Sequence, residues 1–409
     1  MITGTSSQGM RYAVRRGGSA VGYCALSIRC GTRDEGAFPS GIAHFTEHTL
    51  FKGTVRRRAS AINARLDRLG GELNAYTTKE EIVLHATVLQ EDLGKAVSLL
   101  LELATQATFP DAQVETERGV VIDEIISYKD SPAESAYDRF EERLFAGHPL
   151  ERPILGTPAS VRKITPEQLR RFVASHFTPD RMALTLVANL EETVMEKKLL
   201  KLTDACFGTF RPETPAAAEP VYPTALPFRQ VVDKRHHEVN AVIGGTAPSL
   251  YGGKDRYTAV LLANILGGPA SNSILNASLR ERHGWVYGVE CNYTPYADTG
   301  IIAVSFGCEK PNLERCQTLI ARELAALREI PFSERKLNAA KKQLLGQLAI
   351  SSESGEAQCL SMGKSLLSYG RVASSEENRS LIASVTAGEL QEMARRLFSP
   401  DHLSSLIYR

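Results

Sequence analysis

No surplus of either charge marks this chain of 409 residues. Its 48 basic and 47 acidic residues leave a net charge of +1. Composition therefore gives no sign of a nucleic-acid-binding face. The one short basic run, Arg56-Arg57-Arg58, is too brief to change that. Long apolar runs are missing too, so no segment reads as a membrane span. The seven cysteines form no C-x-x-C pair. An odd number of scattered thiols without metal-ligand spacing fits a reducing compartment better than a disulfide framework. Residues 1–9 lack a charged stretch followed by an apolar one, so no secretory signal is read there. A cytoplasmic location is the expectation.

What the chain does have is length and one dense motif. A chain of 409 residues is too long for one ordinary core, so two or more domains are expected. The segment His44-Phe45-Thr46-Glu47-His48 reads H-x-x-E-H, the reverse of the H-E-x-x-H zinc-protease motif. On a helix, His44 and His48 lie one turn apart on one face, where two imidazoles can hold one metal. Glu47 shares that side and can act on a water as a base. Ser40 is the expected N-cap of this helix and Gly53 its stop.

Two histidines need a third protein ligand. The stretch 114–128, VETERGVVIDEIISY, places Glu117, Val121 and Glu124 on one helical stripe. A lone glutamate usually faces solvent. Two on the stripe of Val121, near Val120 and Ile125, point to partial burial of at least one. Pro110-Asp111 is the expected start of that helix.

With Glu124 80 residues beyond His44, the pattern resembles the inverzincins. The chain looks like the pitrilysin-type (M16) metallopeptidases, which include insulin-degrading enzyme and the mitochondrial processing peptidase. Its size is closest to the processing-peptidase-like subfamily. The resemblance implies one zinc per chain, held by His44, His48 and Glu124. It implies Glu47 as general base and Glu117 as a carboxylate that orients a ligand. Two further segments match. In SLRERHGWVYG, Arg280 and Tyr287 resemble the family's arginine–tyrosine pair; the tyrosine would stabilise the oxyanion of a tetrahedral intermediate. In GGELNAYTT, Asn74 and Ala75 resemble an edge strand beside the zinc, to which an extended substrate adds.

The chain also repeats. Residues 164–180, ITPEQLRRFVASHFTPD, resemble residues 385–401, VTAGELQEMARRLFSPD. Each run precedes a strand, at 182–187 and 403–408. The strand-strand-helix reading of 73–103 recurs at 286–327. The second copy lacks the chemistry: YTAVLLANIL, at 257–266, carries neither histidine nor glutamate, and Gln347 stands roughly where Glu124 would.

These readings predict an α+β protein of two homologous α/β-sandwich halves. Their sheets are antiparallel-rich, with helices on one face. Residues 1–210 form the metal-bearing domain, 211–228 a proline-rich linker, and 229–409 the metal-free domain with the Arg280–Tyr287 pair. The expected activity is zinc-dependent endopeptidase action on peptides or unfolded segments. The resemblance implies that two such halves make half of a hollow chamber. At this length, a homodimer, or a heterodimer with a paralogue, would be needed to close it. A non-catalytic partner subunit of such a complex is the alternative, although its usual mark, a damaged H-x-x-E-H, is absent. A zinc hydrolase acting on a non-peptide bond is a third reading.

Overall fold

A computed structural model describes residues 1–208, 210, 222–223, 226–234 and 237–409. Of the expected linker, residues 211–221, 224 and 225 lie outside the described residues.

Two sheets organise the chain. The first contains β1 (Ile2–Thr5), β2 (Arg11–Arg16), β3 (Val21–Ile28), β4 (Glu72–Thr77), β5 (Ile82–Leu89) and β6 (Met182–Ala188). Their order is β1-β2-β6-β3-β5-β4. The second contains β7 (Arg229–Val232), β8 (Glu238–Ala247), β9 (Val286–Pro295), β10 (Gly300–Glu309) and β11 (Ser404–Tyr408), in the order β7-β11-β8-β10-β9. Without β1 the two orders superpose strand for strand. In each, one pair is parallel, β2 with β6 and β7 with β11, and the other pairs are antiparallel. The repeated segments correspond to the helices Pro166–His176 and Ala387–Leu397. Each is capped by a threonine, Thr165 or Thr386, whose side chain accepts the amide N–H three residues on.

Side-chain alternation sets the layers. On β5, Ile82, Leu84, Ala86 and Val88 enter one core with the helix Leu93–Gln106, while Val83 enters another. β6 is central, and all seven of its residues are buried, so it reads as MALTLVA without polar alternation. The helices expected on one face are there. The opposite face is covered as well, and the cover comes from the other half of the sequence. In the first sheet, Cys359, Met362, Leu366 and Leu367 of the helix Gly355–Tyr369 pack on Ala13, Ala25, Val83, Ala183 and Val187. In the second, Ala136, Phe140 and Leu144 of the helix Pro132–Leu144 pack on Val242, Ile301, Ala303 and Leu406. Each large apolar side chain buried this way contributes about 2 kcal/mol.

The compact units are therefore discontinuous. One comprises Met1–Ile126, Arg152–Ala217 and Ile350–Ala373; the other comprises Ser127–Glu151, Ala218–Ala349 and Ser374–Arg409. Division into contiguous domains at 1–210 and 229–409 differs from this by one helix exchanged in each direction. The physical reason is that a sheet has two apolar faces, and the helices local to each half cover only one. Among the described residues, no helix is long and apolar enough to cross a membrane.

Candidate metal centre

The motif lies on a short helix, Ile42–Leu50, in the first unit. Phe45 and Leu50 anchor it, both fully buried. That anchoring turns the rings of His44 and His48 to one side, with centroids 4.6 Å apart. The helix is not capped by Ser40. Its N-cap is Gly41, at φ 88°, a left-handed turn that favours glycine. The cap comes from Glu35, which is fully buried. Its Oε1 accepts from the amide N–H groups of Gly41 (2.9 Å) and Ala43 (3.2 Å). Arg152 steadies Glu35 at 3.4 Å and also donates to the carbonyl oxygens of Phe38 and Gly36. The helix ends at Leu50, three residues before the glycine expected to stop it.

Glu117 and Glu124 arrive on the helix Asp111–Lys129, which starts where Pro110-Asp111 predicts. Val114, Val121 and Ile125 pin it to the core. Oε2 of Glu124 lies 3.4 Å from Nε2 of His48 and 3.7 Å from Nε2 of His44. Ligand atoms about 2.0–2.1 Å from a tetrahedral metal stand about 3.4 Å from each other, so this spacing fits one ion. The Glu124 oxygen is buried and has no hydrogen-bond donor among the described residues, an orphan of the kind that otherwise costs stability. Burial, and then the neighbouring His48, push His44 down to about 3. Its ring is therefore neutral near pH 7, with a lone pair free to bind. Among the described residues, these three are the group that could hold a metal ion.

Glu117 does not enter that triangle. It is buried, and its Oε1 accepts from Nδ1 of His48 at 3.0 Å, leaving Nε2 to face Glu124. Glu47 is held by β4, where Oγ1 of Thr77 donates to its Oε2 at 2.7 Å. Burial raises the Glu47 carboxyl and the charge of Glu124 adds to this; the Thr77 bond and His48 oppose it. A carboxylate raised toward neutrality is suited to taking and returning a proton.

Asn74 and Ala75 lie on β4, the outer strand of the first sheet. Ala75 shares the face of Thr77, and Asn74 points to the opposite face. Arg280 and Tyr287 belong to the second unit. Arg280 sits near the end of a seven-residue π-helical stretch, Asn276–Arg282, and Tyr287 near the start of β9. Tyr287 is exposed, its hydroxyl 3.5 Å from Oε1 of Glu309.

Three residues with a part in this centre were not picked out from sequence: Glu35, Thr77 and Lys52. Thr77 closes the Asn-Ala-Tyr-Thr stretch, two residues from Ala75, and strand alternation alone places it on the Ala75 face. Lys52 is one helical turn beyond His48, a spacing that places it beside that ligand. Glu35 has only a weak signal, an acid six residues before a helix-starting glycine.

Known proteins carry the same plan. Residues 13–158 match the model of Insulinase (Peptidase family M16), and residues 163–344 match that of the Peptidase M16 inactive domain. An uncharacterized zinc protease of Mycobacterium bovis is 32% identical over 91% of this chain and 84% of its own length. One of Bacillus subtilis is 29% identical over 93% and 91%. Among solved structures, a protease from Helicobacter pylori superposes with a TM-score of 0.89 at 19% identity, covering 100% of this chain and 99% of its own. A putative M16-like peptidase from Alicyclobacillus acidocaldarius reaches 0.86 at 22%, covering 100% and 97%. The two matches divide the chain as the motif does, with the H-x-x-E-H helix and both glutamates in the first and the copy without that motif in the second. The chain belongs to peptidase family M16.

Proposed function

We propose that this chain is a zinc-dependent endopeptidase that cleaves peptides or unfolded segments, with one zinc on His44, His48 and Glu124. The observation that carries the reading is the orphaned Glu124 oxygen facing two imidazole nitrogens, with a strand-anchored carboxylate beside them. When bound, zinc supplies Lewis acidity to the scissile carbonyl and to the attacking water. Glu47 takes a proton as water attacks the carbonyl carbon, then passes it to the leaving nitrogen. Thr77 keeps the Glu47 carboxylate in place through that exchange by donating to its Oε2. Glu117 fixes the ring of His48 by holding the Nδ1 proton. Substrate lies extended along the free edge of β4 at Asn74 and Ala75, which favours unfolded chains because only they can add as a strand.

Arg280 and Tyr287 complete the reading in trans. In a homodimer, Tyr287 of a second copy donates to the developing oxyanion and Arg280 orients the substrate. Seven unpaired cysteines support a reducing, cytoplasmic setting. The test is cleavage of an unfolded peptide by the purified chain, with chelator and after zinc is restored. Chelator-sensitive cleavage that zinc restores is expected. A zinc-replete chain that cleaves no unfolded peptide would overturn the reading. Mixing Glu47→Gln chains with Tyr287→Phe chains, after verified subunit exchange, should recover part of the activity. If none returns, the pair does not act across a dimer.

A further inference from the structure

Lys52 lies just past the motif helix, where its amide N–H donates to the carbonyl oxygen of Thr49 at 3.1 Å. Its Nζ is 2.7 Å from Oε2 of Glu117, and the other oxygen of that carboxylate is 3.0 Å from Nδ1 of His48. The two oxygens of Glu117 thus serve two partners, a cation on one side and the ring on the other. The side chain of Glu117 is 8% exposed and that of Lys52 26%. An exposed Lys–Glu pair is worth little. A buried carboxylate stripped of its cation is a different case, because it stays in place only at a cost. The end of a helix also favours a positive side chain, so the ammonium is well placed.

We propose that Lys52 is a positioning residue for the metal centre, acting through Glu117 to fix the ring of His48. This rests on the reading of His44, His48 and Glu124 as the zinc site. Without the ammonium, Glu117 turns its charge toward water and releases the Nδ1 proton. His48 then loses the partner that keeps Nε2 free for the metal. His44 has no comparable arrangement, since its Nδ1 lacks a hydrogen-bond partner among the described residues. The orientation of the two rings therefore depends unequally on surrounding charge, and the effect of Lys52 falls on His48 alone.

The test is zinc affinity of the full chain by competition with a chelator. Loss of a group that orients a histidine ligand weakens metal binding by about 10–100-fold. Lys52→Met and Glu117→Gln should each fall in that range, and the double variant should be no weaker than the weaker single one. Lys52→Arg should restore most of the affinity. Unfolding of the metal-free proteins checks that each variant folds; if Lys52→Met does not, Lys52→Gln takes its place. A second readout needs no metal. Nitrogen-15 shifts of His48 should show the proton on Nδ1 in the wild type and a smaller share of that tautomer in Lys52→Met. Wild-type affinity in both neutral Lys52 variants, or a double variant as weak as the product of the two singles, would overturn the proposal. A wild-type chain that binds zinc but cleaves no peptide sinks the functional reading and leaves this measurement intact. A wild-type chain that binds no zinc overturns both.

Discussion

The two halves of this chain solve the same packing problem with opposite chemistry. Both place a helix before an outer strand and a long helix after the hairpin that follows. In the first unit those helices bring together two imidazoles and a carboxylate whose buried oxygen accepts no hydrogen bond among the described residues. In the second, Nδ2 of Asn264, on the helix Lys254–Gly267, donates to Oε1 of Gln347, on the helix Glu334–Ser351, at 2.8 Å. A neutral amide pair satisfies itself. The helix Lys254–Gly267 also lies so close to β9 that Gly267 has no room for a side chain; a Cβ there would be 2.5 Å from the amide nitrogen of Cys291. The first helix instead leaves space for Glu47, tied to β4 by Thr77. The fold can therefore close this position with an ordinary hydrogen bond, and in one half it does not. That failure to satisfy buried groups, where the same frame shows how to satisfy them, is the strongest physical argument for a ligand in the first half.

The largest expected difference between the halves is in metal binding. His48→Ala or Glu124→Gln should leave a chain whose zinc does not survive dialysis and which cleaves no peptide. Asn264→Ala or Gln347→Ala should keep zinc and cleavage and cost about 1 kcal/mol of stability, the usual worth of one hydrogen bond. Zinc lost equally from both sets, by elemental analysis, would break the comparison.

Glu47 sharpens it next. Glu47→Gln keeps the hydrogen bond from Thr77 but cannot take a proton, so turnover should fall by about 10²–10⁴-fold at full zinc content. Wild-type turnover in that variant would move the base elsewhere.

A smaller effect concerns how the motif helix is held. Burial pushes the Glu35 carboxyl up to about 7 from its ordinary 4.5. The folded protein thus holds that proton more tightly than the unfolded chain does. Stability falls as pH rises from about 4.5 to about 7, by up to about 3 kcal/mol, and then levels. Glu35→Gln should remove this component. Denaturant unfolding of metal-free wild type and variant across that range checks it, and identical slopes would show that Glu35 contributes nothing there.

The strong local patterns were legible. The five-residue motif, the stripe Glu117-Val121-Glu124 and the Thr-capped repeats lie on the elements their spacing predicts, because helix and strand periods act over a few residues. The amide pair was half legible: Gln347 was singled out, but its partner Asn264 is ordinary in an apolar helix. The exchange of the helices Pro132–Leu144 and Gly355–Tyr369 left no local mark, since an amphipathic helix does not encode which sheet it will cover. Glu35 was missed for a related reason. Ser40 is a good cap by type, but the left-handed turn at Gly41 gives that role to a side chain farther upstream.

The most direct measurement is a zinc titration of the metal-free chain, with peptide cleavage read at each step. The account predicts that cleavage rises linearly and levels at one zinc per chain, and that His48→Ala shows no such rise. A break at two zinc ions per chain, or a fully loaded chain that cleaves nothing, would contradict it.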